Sequence, residues 1–227
     1  MSARLRTQLW GFTVTPRPRL IAVMGLLFLL IATFAPLGGW GRRLFAPELG
    51  PNYSSEILWW VLTFGLYAYV LWVERRPLFS IGFRRPGVLD IVWAVVTGVL
   101  MVAGIVAIYS VVFPLLHLQM NAQQMGKLLH TPFWYRVLLV TRAAVAEETL
   151  FRGYPIERLK EWSGSRLLAG AVTCAAFTYA HLSSWGAAQM VIAGYGGVLL
   201  TILYLWRRNL WANMLAHWIA DGAGFLA

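Results

Sequence analysis

Apolar runs long enough to cross a lipid bilayer recur along the whole chain, and they dictate what it can fold into. Seven are read, within several residues at each end, at about 20–37, 57–73, 88–116, 133–160, 166–183, 187–206 and 209–226, the fifth and seventh short for a full crossing. Backbone polar groups in hydrocarbon must be satisfied within the segment, so such runs are read as helices. Hydrophobic residues make up 59% of the chain and charged residues only 12%, against about 25% charged in a soluble domain. The expectation is an all-α, polytopic transmembrane helix bundle of about seven spans. Residues 1–227 would form a single integral membrane domain.

Basic residues test the count. With the N-terminus in the cytoplasm, inner segments hold thirteen of the 19 Lys and Arg: Arg4, Arg6, Arg17, Arg19, Arg75, Arg76, Arg84, Arg85, Arg158, Lys160, Arg166, Arg207 and Arg208. Outer loops hold Arg42, Arg43 and Lys127. That bias predicts a cytoplasmic N-terminus. It also explains the net charge of +10 without nucleic acid, because the cations sit in short clusters between apolar runs. Tryptophans fall near predicted span ends, Trp40, Trp59, Trp60, Trp134 and Trp185 on the outer side, as interfacial anchors do. One cysteine, Cys174, leaves no disulfide framework. The first run is too long for a cleaved leader and is read as a retained helix. The polar stretch 117–131, bracketed by His117 and His130, is read as a surface segment or lid.

The fourth run carries charge where charge is costly. Glu147 and Glu148 are followed by Arg152, and ionised groups at mid-membrane cost roughly 2.5–3.5 kcal/mol each on the mildest scale. Such a group must pair, face water or do chemistry. Glu148 and Arg152 are spaced i, i+4 and share a helix face, which predicts an ion pair. Glu147 is rotated by about 100° and is predicted to stay free, as suits a general base near neutral pH.

Two more polar sets lie downstream. Phe177 and His181 are one turn apart, and Asn213, His217 and Asp221 form a stripe at i, i+4, i+8. If the fourth helix continues past Pro155 to about residue 160, helix rise puts Glu147 ~20 Å, His181 ~23 Å and His217 ~15 Å from the inner ends of their helices. The three then meet at similar depth. No His-Glu-x-x-His is present, and the two aspartates, Asp90 and Asp221, are badly placed for a twin-aspartate protease. Histidines and carboxylates could hold zinc.

Together, Glu147-Glu148-x-x-x-Arg152, Phe177-x-x-x-His181 and His217-x-x-x-Asp221 resemble the CAAX protease and bacteriocin-processing (CPBP/Abi) family of intramembrane glutamic endopeptidases. The resemblance covers 133–226, the motif-bearing half. It implies that Glu147 and His181 activate water, that Glu148 and Arg152 support them, and that His217 and Asp221 stabilise the oxyanion. Family members often carry asparagine where Asp221 stands. Asp221 is then either protonated or an orienter of His217, and Asn213 is a substitute donor. Phe177 is expected to support the site. The chemistry needs no metal and no cofactor. The implied partners are a peptide or protein substrate with a membrane-associated segment and the lipid itself, with no nucleic acid. The implied location is a membrane, in composition closest to the bacterial cytoplasmic (inner) membrane. Alternatives are a non-catalytic immunity or scaffold protein of the same fold, a metal-dependent protease, and a proton-coupled transporter.

Overall fold

The computed structural model describes residues 19–44 and 50–226. Arg4, Arg6 and Arg17 lie outside them. Every regular element among the described residues is helical. Ser54–Val73, Val88–Leu115 and Ala187–Arg207 are long and apolar enough to cross a membrane by length and composition, the mark of an integral membrane protein.

The first predicted run is not one helix. It forms α1 (Arg19–Gly25) and α2 (Leu27–Phe34), and Pro36 separates these from α3 (Leu37–Leu44). The break lies where Gly25 meets Tyr154: a Cβ on Gly25 would sit 1.7 Å from the Tyr154 hydroxyl. The second run is α4 (Gly50–Ala68), continued by a π-helical turn over Tyr69–Val73. The third is α5 (Val88–Ala107), extended by a π turn at Ile108–Val112 and by α6 (Phe113–Leu115). The polar stretch contains α7 (Ala122–Leu129), whose first turn is capped by the Asn121 side chain accepting from Gln124 N.

The fourth run is helical past Pro155, as the depth argument required. α8 (Phe133–Arg142) passes through π turns at Ala143–Glu147 and Thr149–Gly153 into α9 (Tyr154–Ser163). Pro155 stands early in α9, directly after the second π turn. The fifth run ends earlier than predicted. α10 (Arg166–Ala180) stops at His181, and α11 (Leu182–Trp185) turns the chain into α12 (Ala187–Arg207). α13 (Leu210–Phe225) closes the fold.

The bundle centres on the α8–α9 helix. Leu150, Phe151 and Tyr154 pack with Leu29 of α2, Leu66 of α4 and Phe177 of α10. α5 lies along α13, close enough that a Cβ on Gly98 would sit 2.9 Å from Ile219.

Polar ties collect at one end. Arg158 is 1% exposed and binds Glu74 at 2.6 Å, and Tyr154 donates to the same carboxylate at 2.8 Å. Arg76 pairs with Glu161, Arg208 with Glu157, and Arg207 with Asp90. Leu210 N donates to Gly82 O. Breaking the buried Arg158–Glu74 pair is costly, and the more exposed pairs around it join the same segments. Segments 74–90, 157–161 and 207–210 therefore share an end, the same grouping as the basic clusters after the first N-terminal one. At the other end Arg136 donates to Phe225 O, and Leu118 and Met120 pack against Ile108, Phe113 and Ile192.

Candidate active site

Charged and polar side chains from four helices meet around a cavity of about 110 Å³, room for a few waters at about 30 Å³ each. Glu147 from the α8–α9 helix, Phe177 and His181 from α10, and His217 and Asp221 from α13 line it. Met101 and Ile105 of α5, Arg142 of α8 and Gln189 of α12 also line it. Of the residues singled out from sequence, Glu148, Arg152 and Asn213 sit behind this wall, each 0% exposed.

The Glu148–Arg152 pair forms as the spacing predicts, at 2.8 Å. The Arg152 guanidinium also lies 3.8 Å from the centre of the Phe177 ring. Phe177 thus carries a cation on one side and two imidazoles near its edges, His181 at 4.7 Å and His217 at 6.3 Å between ring centres. Desolvated cation–π contacts are worth about 2 kcal/mol, so Phe177 fixes both the buried arginine and the histidines.

Glu148 holds three partners. Its Oε1 meets Arg152 and His217 Nδ1, both at 2.8 Å, and its Oε2 accepts from Asn213 Nδ2 at 3.0 Å. An ionised carboxylate only accepts, so His217 Nδ1 carries the proton. The Nε2 edge of His217 then faces the cavity, 3.4 Å from Asp221 Oδ2 and 4.0 Å from Glu147 Oε2. Asp221 is therefore placed to orient His217.

Asn213 is not placed as a substitute oxyanion donor. Its amide donates to Glu148 and to Leu200 O, at 2.7 Å, which uses both hydrogens behind the cavity. The i, i+8 stripe with Asp221 is real, but the carboxylate of Glu148 captures its first member.

His181 sits where α10 ends, and its Nδ1 lies 2.8 Å from Phe177 O. A carbonyl only accepts, so Nδ1 is the donor and a neutral ring keeps its lone pair on Nε2. That lone pair is what a proton acceptor needs.

Glu147 is not the free carboxylate expected from helix geometry. Arg142 Nη1 donates to its Oε1 at 3.1 Å. Five residues on an α-helix are about 140° apart at 100° each. The π turn over Ala143–Glu147 takes an extra residue into one revolution and brings the two side chains to one face. Arg142 also makes a two-pronged contact with Glu56 of α4, at 2.7 and 3.1 Å, and lies 5.3 Å over the Trp59 ring. Trp59 is thus a contact of the buried arginine as well as a residue near a span end. Neither Glu56 nor Arg142 was singled out from sequence. Gln189 was missed too: its Oε1 is buried with no hydrogen-bond partner among the described residues. Among those residues, no group of three or more His, Cys, Asp or Glu is arranged to hold a metal ion.

A glutamate and two histidines around a small polar cavity can take a proton from water and stabilise negative charge on a carbonyl oxygen. No curated protein and no solved structure matches the chain. Residues 129–223 match the protein family described as "Type II CAAX prenyl endopeptidase Rce1-like". The match begins just before α8, ends inside α13, and contains all eight residues singled out from sequence. Such a domain implies a protease acting on protein substrates. Residues 129–223 are an Rce1-like domain of the type II CAAX prenyl endopeptidase family.

Proposed function

We propose that this protein is an intramembrane endopeptidase that hydrolyses a peptide bond of a membrane-associated substrate with a water activated by Glu147. The observation that carries the reading is that Glu147, His181, His217 and Asp221 line one cavity. Water in that cavity gives a proton to Glu147, assisted by the Nε2 lone pair of His181, as its oxygen attacks the carbonyl carbon. The carbonyl oxygen becomes an oxyanion. His217, protonated at both nitrogens between Glu148 and Asp221, donates Nε2–H to that oxygen. The proton held by Glu147 passes to the amide nitrogen as the C–N bond breaks. A carboxylic acid and an amine leave, and Glu147 is again ionised. Glu148, Arg152, Phe177 and Asn213 hold these groups in place.

The same reading treats residues 1–227 as one membrane domain of seven spans with a cytoplasmic N-terminus. The shared end of segments 74–90, 157–161 and 207–210, rich in arginine, supports it. Composition favours the bacterial cytoplasmic membrane. The substrate class is a peptide or protein held at the membrane by its own apolar or lipidated segment.

The test is cleavage of a farnesylated CAAX peptide in detergent or liposomes, paired with trapping of native substrates on Glu147→Gln in membranes. Glu147→Ala and His181→Ala should lose cleavage while keeping the wild-type elution profile. Full activity in Glu147→Ala would end the proposal.

A further inference from the structure

A buried arginine beside a carboxylate normally claims it, as Arg152 claims Glu148. Arg142 touches Glu147 yet is committed more heavily elsewhere. It makes two contacts with Glu56, at 2.7 and 3.1 Å, and one with Glu147, at 3.1 Å. All three side chains are largely shielded, at 9% exposure for Arg142, 16% for Glu56 and 13% for Glu147. Two carboxylates on one guanidinium sum to one net negative charge. Without Glu56 the site would hold two neutral pairs, Glu147 with Arg142 and Glu148 with Arg152. Arg142 would then be committed to Glu147 alone.

We propose that Glu56 is a positioning residue that shares Arg142 with Glu147, so that Arg142 aims the Glu147 carboxylate without neutralising it. The inference rests on the proposed role of Glu147. Glu56 belongs to α4, outside the matched residues 129–223, so the first half of the chain contributes to the site. The other titratable groups around Glu147 are His181 from α10, His217 and Asp221 from α13, and the Glu148–Arg152 pair behind it. The neighbours from α5 and α12, Met101, Ile105 and Gln189, are uncharged.

The test reads Glu147 without any substrate. Dicyclohexylcarbodiimide modifies protonated carboxyl groups in apolar surroundings, and mass spectrometry reports its yield on Glu147 in the full-length protein as pH is varied. With Glu56 neutralised, Arg142 faces Glu147 alone and disfavours its protonation. The labelling midpoint of Glu56→Gln should therefore fall by roughly one pH unit, the order expected for a unit charge one guanidinium away. Glu56→Asp, which keeps the charge, should stay near wild type. Glu56→Met serves as a second neutral variant should the glutamine variant fail to fold. A purely structural role would lower yield or stability and leave the midpoint in place. A midpoint unmoved or raised in both neutral variants overturns the inference. That failure is separate from failure of the protease reading, which is decided by cleavage in Glu147→Ala.

Discussion

His217 Nδ1 lies 2.8 Å from Glu148 Oε1, so the second glutamate is committed to a histidine and an arginine and is turned away from water. The two adjacent glutamates should therefore fail in different ways. Glu148→Gln leaves Arg152, 0% exposed, without its counter-charge, and should cost about 3–5 kcal/mol of stability. Glu147→Gln leaves Arg142 paired with Glu56 and should cost less than about 1 kcal/mol while abolishing cleavage. Thermal unfolding in detergent, run beside the cleavage assay, separates the two.

His181 acts through a lone pair whose position the Phe177 carbonyl fixes. His181→Gln should reduce kcat by about 10²–10⁴, the usual worth of a positioned acid or base. Thermal stability should change little, because among the described residues the ring makes a single hydrogen bond, to Phe177 O. A kcat within threefold of wild type would remove His181 from the reaction.

Asn213 donates behind the cavity to Glu148 and to Leu200 O. Asn213→Ala leaves two buried acceptors short of a donor, at about 1–3 kcal/mol each. The expected result is a lowered unfolding temperature with a residual turnover per folded molecule well above that of His217→Ala. Equal losses of turnover in the two variants would place Asn213 at the reacting atoms instead.

Gly153 ends the second π turn, and a Cβ there would meet Leu210 Cδ1 at 2.3 Å and Ile81 O at 2.7 Å. The leucine can rotate, but the carbonyl belongs to the backbone that Tyr204 also ties to Gly153. Gly153→Ala should destabilise by about 1–3 kcal/mol, as overpacking does. An unfolding temperature equal to wild type would show that the 74–90 segment yields more easily than its contacts suggest.

Helix positions in the second half were legible from the apolar runs alone. Ser165 and Asn209, which that pattern does not mark, cap α10 and α13. The Glu148–Arg152 pair was legible from α-helical spacing alone. Arg142 was not, because an α-helical wheel points it away from Glu147 and only the π turn reverses that. Glu56 stands 86 residues from Arg142, beyond any local pattern. Charge accounting could have found it: an arginine inside an apolar run needs a carboxylate, and few exist in the first half. The break at Leu26 follows Gly25, a poor helix former, and what the sequence could not show is the tyrosine from α9 that packs against that glycine.

The two π turns between Ala143 and Gly153 carry a surplus of chain relative to a plain helix. Removing one residue there would let the backbone relax to the ordinary pitch. Arg142 and Glu147, five apart on the π turn, would then stand four apart on a plain helix and still share one face. Loops elsewhere can grow or shrink at modest entropic cost. A single-codon deletion between Arg142 and Glu147 would thus exchange a five-residue pairing on a π turn for a four-residue pairing on a plain helix, with the carboxylate still beside its arginine.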